Sequence, residues 1–180
     1  MRHGVPPELR RVVWPALLGA AKRKQQALRG NHGNLYRSLV KRYLSQGEHQ
    51  KQIGKDIGRT LPGQCTVVNT PEGAKALERV LGAFSEYDGW YGYTQSLNMV
   101  AAHLLVVMSL DAEEDVFWML AQIVEVVVPE YYSSGLYGMS ADAVVLSTLA
   151  EHYVCKYTPQ PAGPCDSSTS LIDQVLIRMG

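Results

Sequence analysis

Between residues 71 and 128 the apolar side chains return every third or fourth position, a spacing that admits helices and little else. NTPEGAKALERVLGAFSEYD is the clearest stretch. Thr70 can cap a helix, Pro71 suits its first position and Glu72 complements the positive end of its dipole. Leu77, Val80, Leu81 and Phe84 then form a stripe for burial, and Asp88-Gly89 closes the segment. MVAAHLLVVMSL (99–110) carries His103 and is far shorter than the ~20 residues that span a bilayer, so it reads as a buried helix. DAEEDVFWMLAQIVEVVV begins at Asp111, places Glu114 at the capping-box position and turns Val116, Met119, Leu120, Ile123 and Val127 toward the core before Pro129 ends it. No alternating pattern runs longer than WYGYTQ, and no internal repeat is visible. The expected fold class is all-α.

The flanks extend the pattern less cleanly. PPELRRVVWPALLGA places Leu9, Val12, Val13, Leu17 and Leu18 on one side, with Pro15 predicting two short helices or a kink. Residues 21–34 are basic, polar and poor in apolar periodicity, and RGNHGN reads as a turn or mobile connection. LYRSLVKRYL resumes the helix with Leu35, Leu39, Val40, Tyr43 and Leu44. A further helix is expected over about 140–157, a flexible loop over the Pro- and Ser-rich 158–170, and the start of another helix in LIDQVLIRMG. At 180 residues the chain is long enough for one domain, 1–180, with a real core.

Composition narrows the function by exclusion. Seventeen basic residues balance seventeen acidic ones, so no global field draws the chain to nucleic acid or anionic membrane. Most of the basic residues lie between Arg2 and Arg59, and the Lys22-Arg23-Lys24 run reads as a solvated helix face rather than an anion site. The start MRHGVPPELRR lacks the apolar core of a signal peptide. Cys65, Cys155 and Cys165 imply no disulfide framework and fit a reducing compartment. His152, Cys155, Cys165 and Asp166 lack the paired CxxC of a zinc site, and no metal is expected. No nucleophile elbow, P-loop or HExxH occurs, so a stand-alone enzyme has little behind it.

IGKDIGRTLPG (53–63) is the segment that stands out. On a helix, at about 100° per residue, Ile53, Ile57 and Thr60 make a narrow apolar seam with Asp56 beside it. Arg59 lies about 120° from Ile53, away from that seam, and three residues from Asp56, within reach of its carboxylate. Pro62 disfavours helical geometry at Leu61, so the helix should end near Arg59. Taken alone, this describes an ordinary surface arginine at a helix end.

Three motifs in order change the reading. IGKDIGRTLPG resembles the IxxDxxRT-x-P motif of the TBC domain, found in GTPase-activating proteins for Rab-type small GTPases. HGVPPELRRVVWPALLGA resembles the amino-terminal segment of that family through Gly4, Pro6, Leu9, Arg10, Trp14, Leu17, Leu18 and Gly19. YGYTQSLNMVAA resembles its YxQGMN segment at Tyr93, Gln95 and Asn98. The resemblance implies a multi-helix TBC-type domain, of which this chain carries the amino-terminal and middle portion without the carboxy-terminal segment built around a Trp-Phe pair.

It also implies a chemistry. Arg59 would be an arginine finger and Gln95 a glutamine finger, both entering the nucleotide site of a Rab-family partner and accelerating GTP hydrolysis in trans. Asp56, Tyr93, Thr60 and Asn98 would support them, and Ile53, Pro62 and Ser96 would shape the partner-binding surface. GTP and Mg2+ would belong to the partner, so the chain needs no cofactor of its own. A cytoplasmic protein acting in vesicle trafficking follows, peripheral on endomembranes through its Rab. Where the family has Gly-Met after the glutamine, this chain has Ser96-Leu97. Leu replaces Met at similar volume, whereas Ser adds a Cβ and hydroxyl where glycine would serve a backbone angle or close approach. The alternative is a TBC-like module that binds a small GTPase or adaptor without activating it.

Overall fold

The computed structural model describes residues 4–29, 34–61, 67–87, 92–133 and 135–157. Every regular element among them is helical: α1 (Pro7–Leu17), α2 (Ala20–Arg29), α3 (Leu35–Gln46), α4 (Gln50–Ile57), α5 (Pro71–Tyr87), α6 (Leu97–Met108), α7 (Glu113–Gln122) and α8 (Tyr137–Tyr157). A 3₁₀ turn, Leu110–Ala112, precedes α7, and a π-helical turn, Ile123–Val127, follows it. Contacts divide the chain into two compact units, Met1–Ser134 and Gly135–Gly180. The second contributes α8, whose Val144, Val145, Leu146 and Leu149 are exposed. None of the described helices is long and apolar enough to cross a membrane. Pro62, Asp88-Gly89, Trp90, Tyr91, the loop at 158–170, the LIDQVLIRMG segment, Cys65, Cys165 and Asp166 lie outside the described residues, as does the side chain of Cys155.

The centre of the first unit is α5, packed against α3, α4, α6 and α7. Its expected stripe is realised: Leu77, Val80, Leu81 and Phe84 have no exposed surface. The Thr70 hydroxyl accepts the Gly73 N–H at 3.0 Å, the cap that TPEG promises. Glu113, in the first turn of α7, ties three helices together. It accepts the Tyr36 hydroxyl at 2.9 Å and a two-pronged contact from Arg79 at 2.9 and 2.5 Å.

Several local expectations are corrected. Residues 20–29 form a helix despite their lack of apolar periodicity, because charge pairing fixes α2 against α7. Arg23 donates to Glu125 at 2.5 Å and to the Tyr87 hydroxyl at 2.9 Å, and lies over the Tyr87 and Trp118 rings. Lys24 pairs with Asp115 at 2.8 Å and Glu114 at 3.7 Å. Two of the three residues of the basic run, Arg23 and Lys24, are thus paired within the protein instead of forming a solvated face, and Glu114 serves as an ion-pair partner rather than a cap. α1 runs through Pro15 without a break and turns Trp14 and Leu18 inward, while Leu9, Val12 and Leu17 remain exposed. Pro15 stands two positions before the end of α1, where little of the ladder remains to interrupt. The π turn after α7 adds a residue to its last turn and rotates Val127 off the buried face.

α3 and α5 approach closely where Gly82 faces Tyr43, a ring with no exposed surface; a Cβ at 82 would collide with that ring. Gly→Ala in a helix interior ordinarily gains about 1 kcal/mol. Gly82→Ala is expected instead to lose roughly 1–3 kcal/mol, the cost of overpacking, read as a lower urea midpoint at unchanged slope. A raised midpoint would show that α3 and α5 are free to separate.

Candidate functional site

The segment that resembles the arginine motif folds as a short anchored helix. Ile53 is fully buried, and α4 ends at Ile57, two residues earlier than expected. The chain then tightens: Arg59 N–H reaches the Asp56 carbonyl at 3.2 Å, and Thr60 N–H reaches that of Ile57 at 3.1 Å. Leu61, which precedes Pro62 in the sequence, takes a positive φ of 45°, outside both the helical region that a following proline disfavours and the extended region it favours. Arg59 emerges with its side chain 57% exposed, while the Asp56 carboxylate has no exposed surface.

Asp56 is the hub. Its Oδ1 accepts Arg59 Nη2 at 2.5 Å, and its Oδ2 accepts the Tyr93 hydroxyl at 2.7 Å. Gln52, one turn earlier, spans both oxygens at 3.2 and 3.3 Å. The Asp56 backbone carbonyl accepts the Thr60 hydroxyl at 2.6 Å and Asn98 Nδ2 at 3.4 Å, and Asn98 also donates to Thr60 Oγ1 at 2.8 Å. Burial alone would raise the Asp56 pKa. The hydrogen bonds from Tyr93, Arg59 and Gln52, with the charge of Arg59, outweigh it and hold the carboxyl below its ordinary 3.8. Burial and the adjacent carboxylate push the Tyr93 phenol well above its ordinary range, so it stays a neutral donor.

This network joins the two proposed fingers. Tyr93 lies two residues before Gln95 and Asn98 three after it, so both flanks of the glutamine turn are tied to the end of α4. Gln95 itself is exposed. The turn is closed by Leu97 N–H to the Thr94 carbonyl at 3.3 Å, with Ser96 at φ 86°, ψ −22°. That is the region glycine occupies freely, and for an L-residue it costs about 1–2 kcal/mol. The backbone angle weighed for the family's glycine is present here, carried by a serine.

Each predicted residue except Pro62, which lies outside the described residues, has a place. Arg59, Gln95 and Ser96 are on the surface; Asp56, Thr60, Tyr93 and Asn98 are buried beneath them. Ile53 is a correction, because a side chain with no exposure anchors the segment and cannot touch a partner. Sequence reasoning missed Gln52, which Gln-to-Asp spacing of i, i+4 would have flagged. It also missed Tyr132, which contacts the glutamine turn from a distant segment and leaves no local signal.

With the site laid out, similarity to known proteins can be placed on it. The model of the Rab-GTPase-TBC domain matches residues 7–158, so both motifs fall inside it. Small G protein signaling modulator 3 of Rattus norvegicus is 35% identical over 160 residues, 87% of this chain and 20% of that protein. Growth hormone-regulated TBC protein 1 of Homo sapiens is 32% identical over 83% of this chain and 43% of its own length. The crystal structure of the Chlamydomonas flagellar RabGAP TBC domain superposes with a TM-score of 0.68 at 33% identity, covering 84% of this chain and 49% of that one. The Ypt/Rab-GAP domain of Gyp1p gives a TM-score of 0.64 at 24% identity, over 84% of this chain and 57% of that one, a likeness of fold alone. The chain belongs to the Rab-GTPase-TBC domain family. It spans about a fifth of the length of the small G protein modulators it matches.

The depressed pKa of Asp56 has a signed consequence. Its contribution to stability is complete above the unfolded-state value near 3.8 and is lost as pH falls from there through the lower folded-state value. Between pH 5 and 2, wild type should lose stability more steeply than Asp56→Asn, which has no carboxylate to protonate. Tyr93→Phe, which removes one charge-assisted bond worth roughly 1.5–3 kcal/mol, should move the acid transition upward. Urea unfolding across pH reads both, and parallel profiles for all three chains would refute the assignment.

Proposed function

We propose that the chain is a GTPase-activating domain for a Rab-family small GTPase, supplying Arg59 and Gln95 to the partner's nucleotide site. The observation that carries this is the pairing of two exposed side chains over one buried network. Asp56, Thr60, Tyr93 and Asn98 hold the segments bearing Arg59 and Gln95 from below. Membership of the family supports the reading, and so do relatives whose names denote GTPase-activating proteins, such as gyp2 of Schizosaccharomyces pombe.

The reaction explains why these residue types suit the task. GTP hydrolysis develops charge on the γ-phosphoryl oxygens and the leaving oxygen while a water is held in line. A guanidinium is permanently charged, planar and forked to meet phosphate oxygens. Arg59 is bound to Asp56 through Nη2, and more than half of its side chain faces solvent. The Gln95 amide donates and accepts at once, which suits it to orient the water. GTP and Mg2+ come with the Rab, and the chain contributes no cofactor. Vesicle trafficking is the process such a partner implies, with contact to endomembranes made through it.

A second reading, a module that binds a GTPase or adaptor without activating it, draws on one observation. Ser96 carries a left-handed backbone beside Gln95 where the motif it resembles has glycine.

Phosphate release from a panel of GTP-loaded Rab proteins separates the two. An activator should accelerate at least one Rab, and Arg59→Ala should lower that acceleration by about 10³-fold or more. Arg59→Lys should not restore it, because an ammonium lacks the planar fork. Acceleration that survives Arg59→Ala would sink the arginine finger; tight Rab binding without acceleration by wild type would establish the second reading.

A further inference from the structure

The two oxygens of the Asp56 carboxylate do not share their donors equally. Oδ2 accepts the Tyr93 hydroxyl at 2.7 Å, a contact that stays in place when Arg59 moves. Oδ1 accepts Arg59 Nη2 at 2.5 Å, the one contact that the proposed reaction requires to be broken. The Asp56 side chain has no exposed surface, so an oxygen abandoned there loses a partner without gaining bulk water. One further donor reaches it, from a residue that the motif does not contain. Gln52 Nε2 lies 3.2 Å from Oδ1 and 3.3 Å from Oδ2, straddling the carboxylate. Gln52 stands one turn before Asp56, on the exposed side of a helix that is clamped at its start. Gln50 Nε2 donates to the Tyr43 carbonyl of α3, and the fully buried Ile53 donates its N–H to the His49 carbonyl at 2.9 Å. The amide is thus delivered from fixed backbone, independent of the turn that carries Arg59.

We propose that Gln52 is a positioning residue for Arg59, its amide closing on Asp56 Oδ1 when the guanidinium turns away. The proposal rests on the reading of Arg59 given above and deepens it. While Arg59 is parked, the Gln52 amide is divided between two oxygens at long distance. Once Arg59 departs, Tyr93 still holds Oδ2, and Gln52 is the side chain left to cover Oδ1. A bound partner closes the surface over this turn, so a donor already on the helix serves where water has no entry. Without Gln52, every turn of Arg59 toward a phosphate strands a buried, charged oxygen, and the finger is held back.

Gln52→Met removes the amide and keeps the length and helix preference of the side chain. The test compares it with Arg59→Ala and the double variant in two measurements. The first follows the titration of the Asp56 carboxyl by carbon NMR on the chain alone. Gln52→Met should move the midpoint upward, because a donor to the charged form is lost. The upward shift should be larger in the Arg59→Ala background, where Gln52 is the side chain left on Oδ1. The second is single-turnover GTP hydrolysis by a responsive Rab. Gln52→Met should lower the maximal rate about fivefold, the worth of one hydrogen bond, at unchanged half-saturation and with no further loss in the Arg59→Ala background. A midpoint shift no larger without Arg59 than with it, an unchanged rate, or a rate loss that persists in Arg59→Ala would overturn the proposal. Should wild type accelerate no Rab, the functional reading fails by itself, and the titrations still confirm or refute that Gln52 covers Oδ1 in the absence of Arg59.

Discussion

A carboxylate with no exposed surface must be met by donors or give up its charge. Asp56 is met by three side chains that come from different places: Gln52 from its own helix, Arg59 from the turn after it, and Tyr93 from the segment before α6. Each contact lowers the cost of burying the charge, and each also fixes a piece of backbone. Because the Asp56 carbonyl takes Thr60 and Asn98 as well, the end of α4 and the first turn of α6 cannot shift independently without stranding a buried polar group. The relative placement of Arg59 and Gln95 is therefore a consequence of one buried charge.

Of five non-glycine residues with positive φ among the described residues, two stand beside the exposed pair. Leu61 stands two positions after Arg59 and Ser96 one after Gln95, and both hold positive φ without being glycine. Residues held in such regions cost of order 1–3 kcal/mol each and persist only where the surroundings over-determine them. The surroundings here are named. Asn69 Nδ2 reaches the Leu61 carbonyl at 3.3 Å, and the Thr94 hydroxyl reaches the Tyr132 carbonyl at 3.4 Å. A loop free to relax would abandon these angles, so their presence next to the two surface residues indicates turns held in one conformation.

How far the sequence carried this result depended on the force that builds each part. Apolar burial leaves a periodic trace, and so the stripe of α5 and the whole helical class were legible from spacing. α2 left no such trace, because Arg23 and Lys24 fix it through carboxylates about a hundred residues away. On α1 the spacing identified an apolar side but not whether anything covers it, and Leu9, Val12 and Leu17 stay exposed. At the site, the motif located Arg59, Asp56, Tyr93, Gln95 and Asn98. Helical geometry put Asp56 merely beside the apolar seam, while tertiary packing buries it outright. Tyr132 was beyond reach because its contact with Thr94 joins residues 38 apart.

The same network bears on how an arginine could be both held and spent. In the proposed reaction Arg59 must turn toward a phosphate, and any contact that parks it opposes that movement. Had Arg59 been the only partner of Asp56, its departure would leave an uncompensated buried charge, a penalty of several kcal/mol. Tyr93 and Gln52 remain when Arg59 leaves, so the carboxylate keeps a donor on each oxygen. The cost of release then falls toward that of a half-exposed ion pair, of the order of 1 kcal/mol. Tyr93 suits this duty because burial and the neighbouring charge keep its proton in place well above neutral pH. For the proposed reaction, such a tether would be strong enough to orient Arg59 in the free protein and weak enough to yield to a phosphate.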